Sequence, residues 1–181
     1  KMIAGGKAAH GARPWLGDNA IDNFITDYIK LKTLFEKPVA GTWRKTMSLN
    51  IISAGKSFNQ VPDRAEAVFD IRYTENEDPE ELFASMQSAI DGKLEVIRKE
   101  PMFMGGQTDY LDRILDLAGD AEAGFEHGAS DARFFSEKGV KGIIWGAEGD
   151  HSAHAVDEHV NLESITKVYE VLDRFLTELA G

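Results

Sequence analysis

Histidine is the side chain best suited to acid–base or metal chemistry near neutral pH. This sequence has five: His10, His127, His151, His154 and His159. Three of them fall within nine residues, beside Asp150, Asp157 and Glu158. Imidazole and carboxylate are the donors zinc takes where thiolate is absent, and the chain has no cysteine. Two arrangements fit the spacing. His151, His154 and His159 form a self-contained site, or one of them is a ligand completed by residues elsewhere. The spacing matches no complete zinc motif.

Other residues offer recognition chemistry. His10 sits in a glycine-bracketed segment before Arg13-Pro14-Trp15. Asn59 lies in Phe58-Asn59-Gln60-Val61-Pro62-Asp63, where Asn either shapes a turn or offers its amide to a substrate carboxylate. Arg72 projects from the polar face of a predicted strand, and arginine is the best bidentate partner of a carboxylate. Gly128-Ala129-Ser130-Asp131 leads into a helix, as an ordinary cap or as an anion-binding turn. There is no glycine-rich nucleotide fingerprint, P-loop or Gly-x-Ser-x-Gly elbow.

The elements that must hold these residues follow from the apolar pattern. Residues 2–10 read as a strand. Asn19 caps a helix running through Phe35, with Ile21, Phe24, Ile25 and Tyr28 at helical spacing and Pro38 and Gly41 ending it. Met47, Leu49 and Ile51 alternate with polar residues, as do Ala67, Phe69, Ile71 and Tyr73, so each run is a strand with one buried face. Asp78-Pro79 opens a second helix, with Leu82, Met86, Ala89 and Ile90 as its stripe. Leu94 to Lys99 is a further strand. The order β-α-β-β-α-β over residues 1–104 is that of an α+β, ferredoxin-like domain. Its open sheet edge is a natural dimerisation surface.

Residues 105–181 read differently. Asp109–Leu117 and Ser130–Lys138 are predicted helices, the second stopped by Gly139. Gly142–Trp145 is a predicted short strand, and Gly146–Asp157 a loop just past its end, where α/β ligand sites lie. Leu162–Leu179 carries a long stripe of Ile165, Val168, Tyr169, Leu172, Phe175, Leu176 and Leu179. So few strands make too little sheet for a core, and the stripe must bury against something.

At 181 residues, with 43% hydrophobic and 28% charged side chains, the chain has a globular composition. Its net charge of −11 argues against nucleic acid and against an anionic membrane surface. The acid is concentrated: residues 1–104 carry 14 basic and 15 acidic side chains, residues 105–181 carry 6 and 16. No apolar run is long enough to span a membrane. The absence of cysteine and of a signal peptide fits a cytoplasmic protein. Lys1 opens a segment that reads like the middle of a strand, so the chain is expected to be part of something longer.

Four blocks, in order, carry a resemblance. Gly6-Lys7-Ala8-Ala9-His10-Gly11-Ala12-Arg13-Pro14 with Gly17-Asp18-Asn19-Ala20-Ile21 is the first, and Asn59-Gln60-Val61-Pro62-Asp63 with Asp70-Ile71-Arg72-Tyr73 the second. Gly128-Ala129-Ser130-Asp131-Ala132-Arg133-Phe134 and His154-Ala155-Val156-Asp157-Glu158-His159-Val160 follow. Together they resemble the zinc-dependent exopeptidase and deacylase family of aminoacylase, succinyl-diaminopimelate desuccinylase, acetylornithine deacetylase and carboxypeptidase G.

The resemblance implies a ferredoxin-like lid that dimerises (1–104), followed by the C-terminal part of a catalytic domain (105–181). It implies hydrolysis of an amide in an N-acyl amino acid or small peptide, by water activated between two zinc ions, or cobalt or manganese, and deprotonated by a Glu. On that mapping His154 is a metal ligand. His10 reaches the partner subunit's site and stabilises the tetrahedral oxyanion, and Asn59, Arg72, Gly128 and Ser130 contact the substrate. His127, His151 and His159 have no implied role. The family's remaining ligands, including a His-x-Asp motif, and its catalytic Glu lie upstream of its lid. No His here is followed two residues later by Asp, so the isolated chain is expected to be inactive. Ala129 stands where the family often has Thr. Two other readings remain: a non-catalytic ferredoxin-like module for dimerisation or small-ligand binding, and a small zinc protein built on His151, His154 and His159.

Overall fold

The computed structural model describes residues 1–37, 39, 42–119, 121–125, 128, 130–149 and 152–181. Pro38 and Gly41, the expected stops of the first helix, lie outside the described residues. The chain forms two compact units, Lys1–Lys99 and Glu100–Gly181.

In the first unit, β1 (Met2–Gly5), β3 (Thr46–Ala54), β5 (Arg64–Arg72) and β6 (Lys93–Leu94) make an antiparallel sheet in the order β3-β5-β1-β6. A second ribbon pairs β2 (Ala9–His10) with β4 (Gln60–Val61). Helices α1 (Ala20–Lys32) and α2 (Pro79–Ala89) complete the ferredoxin-like order that the hydrophobic pattern predicts. Both begin as expected: Asn19 accepts from the Ile21 N–H and Asp78 from the Glu80 N–H. Their apolar faces meet the sheet in one core of Met2, Ala4, Ala20, Phe24, Leu31, Ala65, Ala67, Met86, Ile90 and Leu94. The alanines let the helices lie close, and the Phe24, Tyr28 and Phe69 rings stack in series at 6.1 Å.

Five details differ from the pattern. The expected strand over 2–10 breaks at residues 6–8, because Gly6 donates to Asp63 O and Lys7 pairs with Asp18. A bulge between Leu49 and Ile51 interrupts the register of β3 with β5, and past it the strand is exposed on both faces, Ile51 at 62% and Ile52 at 56%. The last strand covers only Lys93–Leu94, since its ladder ends where Glu95 N–H meets Lys1 O. On α1 the inward line is Ala20, Phe24, Asp27 and Leu31, which turns Ile25 outward. The helix stops at Lys32 rather than Phe35.

The second unit contains α3 (Leu111–Ala118), α4 (Ala132–Ser136) and α5 (Leu162–Ala180). Its core is Leu117, Ala118, Val171 and Phe175, with Ile114, Ala121 and Trp145 against them. The Tyr110 ring meets Phe175 edge-on at 5.9 Å. Arg113 of α3 clamps Glu178 of α5 through two hydrogen bonds of 2.6 and 2.5 Å. The expected strand at Gly142–Trp145 is not formed, and Ile144 is 57% exposed. A strand needs a ladder partner, and the described residues of this unit supply none. The long stripe on α5 is also divided: α3 covers the line through Val171 and Phe175, while Ile165, Tyr169, Leu172, Leu176 and Leu179 stay exposed. Among the described residues no helix is long and apolar enough to cross a membrane.

Candidate functional site

His10 and Asn59 are brought together by the β2–β4 ribbon. His10 pairs with Gln60, and the next residue, Gly11, donates its N–H to Asn59 O at 2.7 Å. A Cβ on Gly11 would sit 3.0 Å from that oxygen. The approach is therefore tight enough to favour glycine. His10 then heads a turn in which Arg13 N–H donates to His10 O at 2.7 Å. The His10 ring accepts the Ala12 N–H through Nδ1 at 3.1 Å. Ser57 donates its hydroxyl to Asn59 Oδ1 at 2.6 Å, so the NH2 group is the donor end of that exposed amide.

The spacing of the first block has a local cause. Lys7 and Asp18 exchange both backbone hydrogen bonds, at 2.7 and 2.9 Å. Ala20 N–H reaches Pro62 O at 3.0 Å. The two glycines beside this bridge have no room for a side chain: a Cβ on Gly6 would lie 2.3 Å from Asp18 O, and one on Gly17 2.7 Å from Lys7 O. This knot of backbone ties β1, the ribbon and the start of α1 into one frame for His10.

Arg72 is elsewhere. It ends β5, whose first residue, Arg64, lies just past the ribbon. A strand rises about 3.3 Å per residue, so Arg72 stands about 26 Å along β5 from that end. Its guanidinium is engaged by Asp70, with Nε to Oδ1 at 2.7 Å and Nη2 to Oδ2 at 2.8 Å. Asp70 and Arg72 are two residues apart on a strand and therefore share a face, which is the signal in the sequence that would have found this pair.

In the second unit, Ser130 precedes α4, and its hydroxyl oxygen accepts the Ala132 N–H at 3.2 Å. Arg133 holds the same turn from below. Its Nη1 donates to Ser130 O at 2.7 Å and its Nε to Glu100 at 3.2 Å. Gly128 is exposed, while Ala129 and His127 lie outside the described residues.

His154 has the only positive φ, +68°, among the described non-glycine residues. Such a backbone is uncommon for His, and it is held from several sides. The His154 N–H donates to Glu158 Oε2 at 3.2 Å. Ser152 closes the loop, its hydroxyl 2.7 Å from Gly149 O and accepting the His159 N–H at 3.1 Å. Ser164 anchors it to α5 by accepting the Glu148 N–H at 2.9 Å and donating to Asn161 O at 2.7 Å. His159 Nδ1 lies 2.6 Å from Asp157 O, and a carbonyl only accepts, so that nitrogen carries a proton. Asp150 and His151 lie outside the described residues. Among the described residues no three His, Asp or Glu side chains gather into a metal-sized group. Ser57, Ser152 and Ser164, which brace the candidates, carry no pattern that singles them out in the sequence.

Residues 1–97 match the family model described as a peptidase dimerisation domain. The chain is 28% identical over 188 residues to the succinyl-diaminopimelate desuccinylase of Corynebacterium glutamicum, covering 98% of this chain and 51% of that protein. It is 28% identical over 193 residues to the succinyl-diaminopimelate desuccinylase of Ehrlichia ruminantium, covering 98% and 49%. The chain thus spans about half the length of the curated relatives it matches. Among solved structures, its fold is similar to aminopeptidase PepT from Bacillus cereus, with a TM-score of 0.65, 21% identity and coverage of 99% and 51%. It is also similar to a tripeptidase from Staphylococcus aureus, with a TM-score of 0.67, 21% identity and coverage of 96% and 50%.

Proposed function

We propose, because this chain belongs to the peptidase dimerisation domain family, that the protein works as a metal-dependent hydrolase of an amide bond in N-acyl amino acids or small peptides. The observation that carries the reading is the match of nearly the whole chain, well past residue 97, to desuccinylases.

In this reading residues 1–104 are the lid and residues 105–181 the C-terminal part of the catalytic domain. The lid pairs two copies of the chain. Strand β3 is at the edge of the sheet and exposes Ile51 and Ile52, and α1 exposes Ile25 and Ile29. An edge strand with unpaired backbone groups and an apolar flank is suited to such pairing. The separation of Arg72 from His10 supports a shared site. Groups at opposite ends of β5 serve two different active sites of a homodimer, with His10 and Asn59 facing the partner's substrate.

His154 would be the ligand this chain offers to zinc, with cobalt or manganese as alternatives of the same donor preference. One imidazole does not fit a dinuclear site, which takes several His and carboxylate donors. The described residues therefore do not suffice for the metal; that the chain spans about half the length of its curated relatives supports a site completed by residues outside it. What the chain itself supplies is recognition. His10 donates a hydrogen bond to the oxygen that becomes negative as the amide is attacked. Asn59, Arg72 and the Gly128–Ser130 turn hold the substrate's carboxylate end. The working compartment is the cytoplasm.

The test compares this chain with the full-length gene product on N-succinylated and N-acetylated amino acids and short peptides, with zinc added. The full-length protein is expected to hydrolyse at least one and the chain alone none. Turnover by the chain alone overturns the split site; inactivity of the full-length protein on every amide, with metal bound, overturns the function.

A further inference from the structure

His10 is chemically ambiguous as a residue type, since a neutral imidazole donates from either nitrogen and accepts at the other. The turn after β2 removes that ambiguity. The Ala12 backbone N–H points at His10 Nδ1 from 3.1 Å. A backbone N–H only donates, so Nδ1 holds a lone pair and the ring proton sits on Nε2. The donor cannot easily drift away. Arg13 N–H closes the turn on His10 O, and Gly11 N–H ties it to Asn59 O, each at 2.7 Å. That second tie favours glycine, because a Cβ at residue 11 would sit 3.0 Å from Asn59 O and 3.1 Å from its carbonyl carbon, so the neighbour would have to give by a few tenths of an ångström.

We infer that the His10–Arg13 turn locks His10 in the Nε2–H tautomer, making it a fixed hydrogen-bond donor, with Gly11 and the Ala12 N–H as positioning groups. A donor preset in this way needs no imidazolium to do its work. With Nδ1 occupied by the backbone, His10 is also removed from the roles of metal ligand through Nδ1 and of general base through Nε2. The use of this donor in catalysis rests on the reading above; the tautomer itself does not.

The test is a long-range proton–nitrogen correlation spectrum of the chain labelled with 15N-histidine, at a pH where imidazole is neutral. The His10 signals are assigned by their loss in His10→Gln. The expected result is a protonated Nε2 and an unprotonated Nδ1 for His10. Ala12→Pro deletes the donor, and its His10 pattern is expected to move toward a mixture of tautomers. Gly11→Ala keeps every N–H but crowds Asn59 O, and is expected to move the pattern the same way by less; it carries the test if Ala12→Pro does not fold. An Nδ1–H tautomer or an averaged pattern in the unaltered chain overturns the inference, as does a folded Ala12→Pro with an unchanged spectrum. In the full-length protein, His10→Gln keeps an N–H donor and His10→Phe has none. If the tautomer is found and both variants hydrolyse like wild type, the proposed role of His10 falls while the lock stands.

Discussion

The carboxylate of Asp27, buried in the inner face of α1, accepts the backbone N–H of Gly92 at 2.7 Å and that of Asp91 at 3.2 Å. It ties α1 to the turn between α2 and β6, and Gln87 finishes the job from α2 by bonding Gly92 O and Leu94 N at 2.9 and 2.8 Å. Stranding these part-buried donors costs about 1 kcal/mol, the low end of what a fully buried donor loses. Asp27→Ala is expected to lower the unfolding free energy by that order, and Asp27→Asn by less, because one acceptor remains. Denaturant unfolding measures both. Equal stability of Asp27→Ala and wild type would show the tie to be idle.

Gly6 should tolerate nothing larger. A Cβ there meets Asp18 O at 2.3 Å and Ala20 N at 2.7 Å, both backbone atoms that cannot swing aside. Gly6→Ala is expected to lose on the order of 1–3 kcal/mol from overpacking and to disturb the ribbon that carries His10. Thermal melting reads the first effect and the His10 ring signals the second. A melting point unchanged from wild type speaks against the knot.

The left-handed backbone of His154 makes a prediction of the opposite sign. A non-glycine residue there costs about 1–3 kcal/mol, and Asn adopts the conformation more readily than His or a β-branched residue. His154→Asn is expected to melt at or above the wild-type temperature, and His154→Val below it. Equal losses in the two variants would remove the argument from strain.

Glu178 links charge to pH. A hydrogen bond from Arg113, and then its positive charge, hold the Glu178 carboxyl below its ordinary range. A carboxylate lowered in the folded state contributes stability above its unfolded value, and that contribution is lost as pH falls through the folded value. The melting difference between wild type and Glu178→Gln should be present at neutral pH and close in acid. It should also shrink with salt, because both side chains are roughly half exposed. A difference that grows on acidification would contradict the pairing.

The legible parts of this chain are those set by local rules. Asn19 and Asp78 name their helices, and the alternation Ala67, Phe69, Ile71 lays down β5. What hid was set by neighbours. The bulge after Leu49 depends on pairing with β5, and the described residues leave the end of β3 beyond it exposed, so Ile51 reads as core and is not. On α5 two apolar lines lie side by side, and only packing decides that Val171 and Phe175 face α3 while Tyr169 does not. The site divides the same way. The blocks around His10 and His154 stand out as motifs, whereas the bracing by Ser57, Ser152 and Ala12 N–H becomes visible only in three dimensions.

In the proposed function one hydrolytic site draws His154 from one protomer and His10 from the other. The direct measurement is amide hydrolysis by full-length His10→Ala and His154→Ala proteins, assayed separately and after co-expression. Each variant alone is predicted to be nearly inactive. Co-expressed, they are predicted to regain activity, because the hybrid dimer holds one site with both histidines intact. Hybrid dimers demonstrated by size and tag capture, yet no more active than the separate variants, would contradict the account.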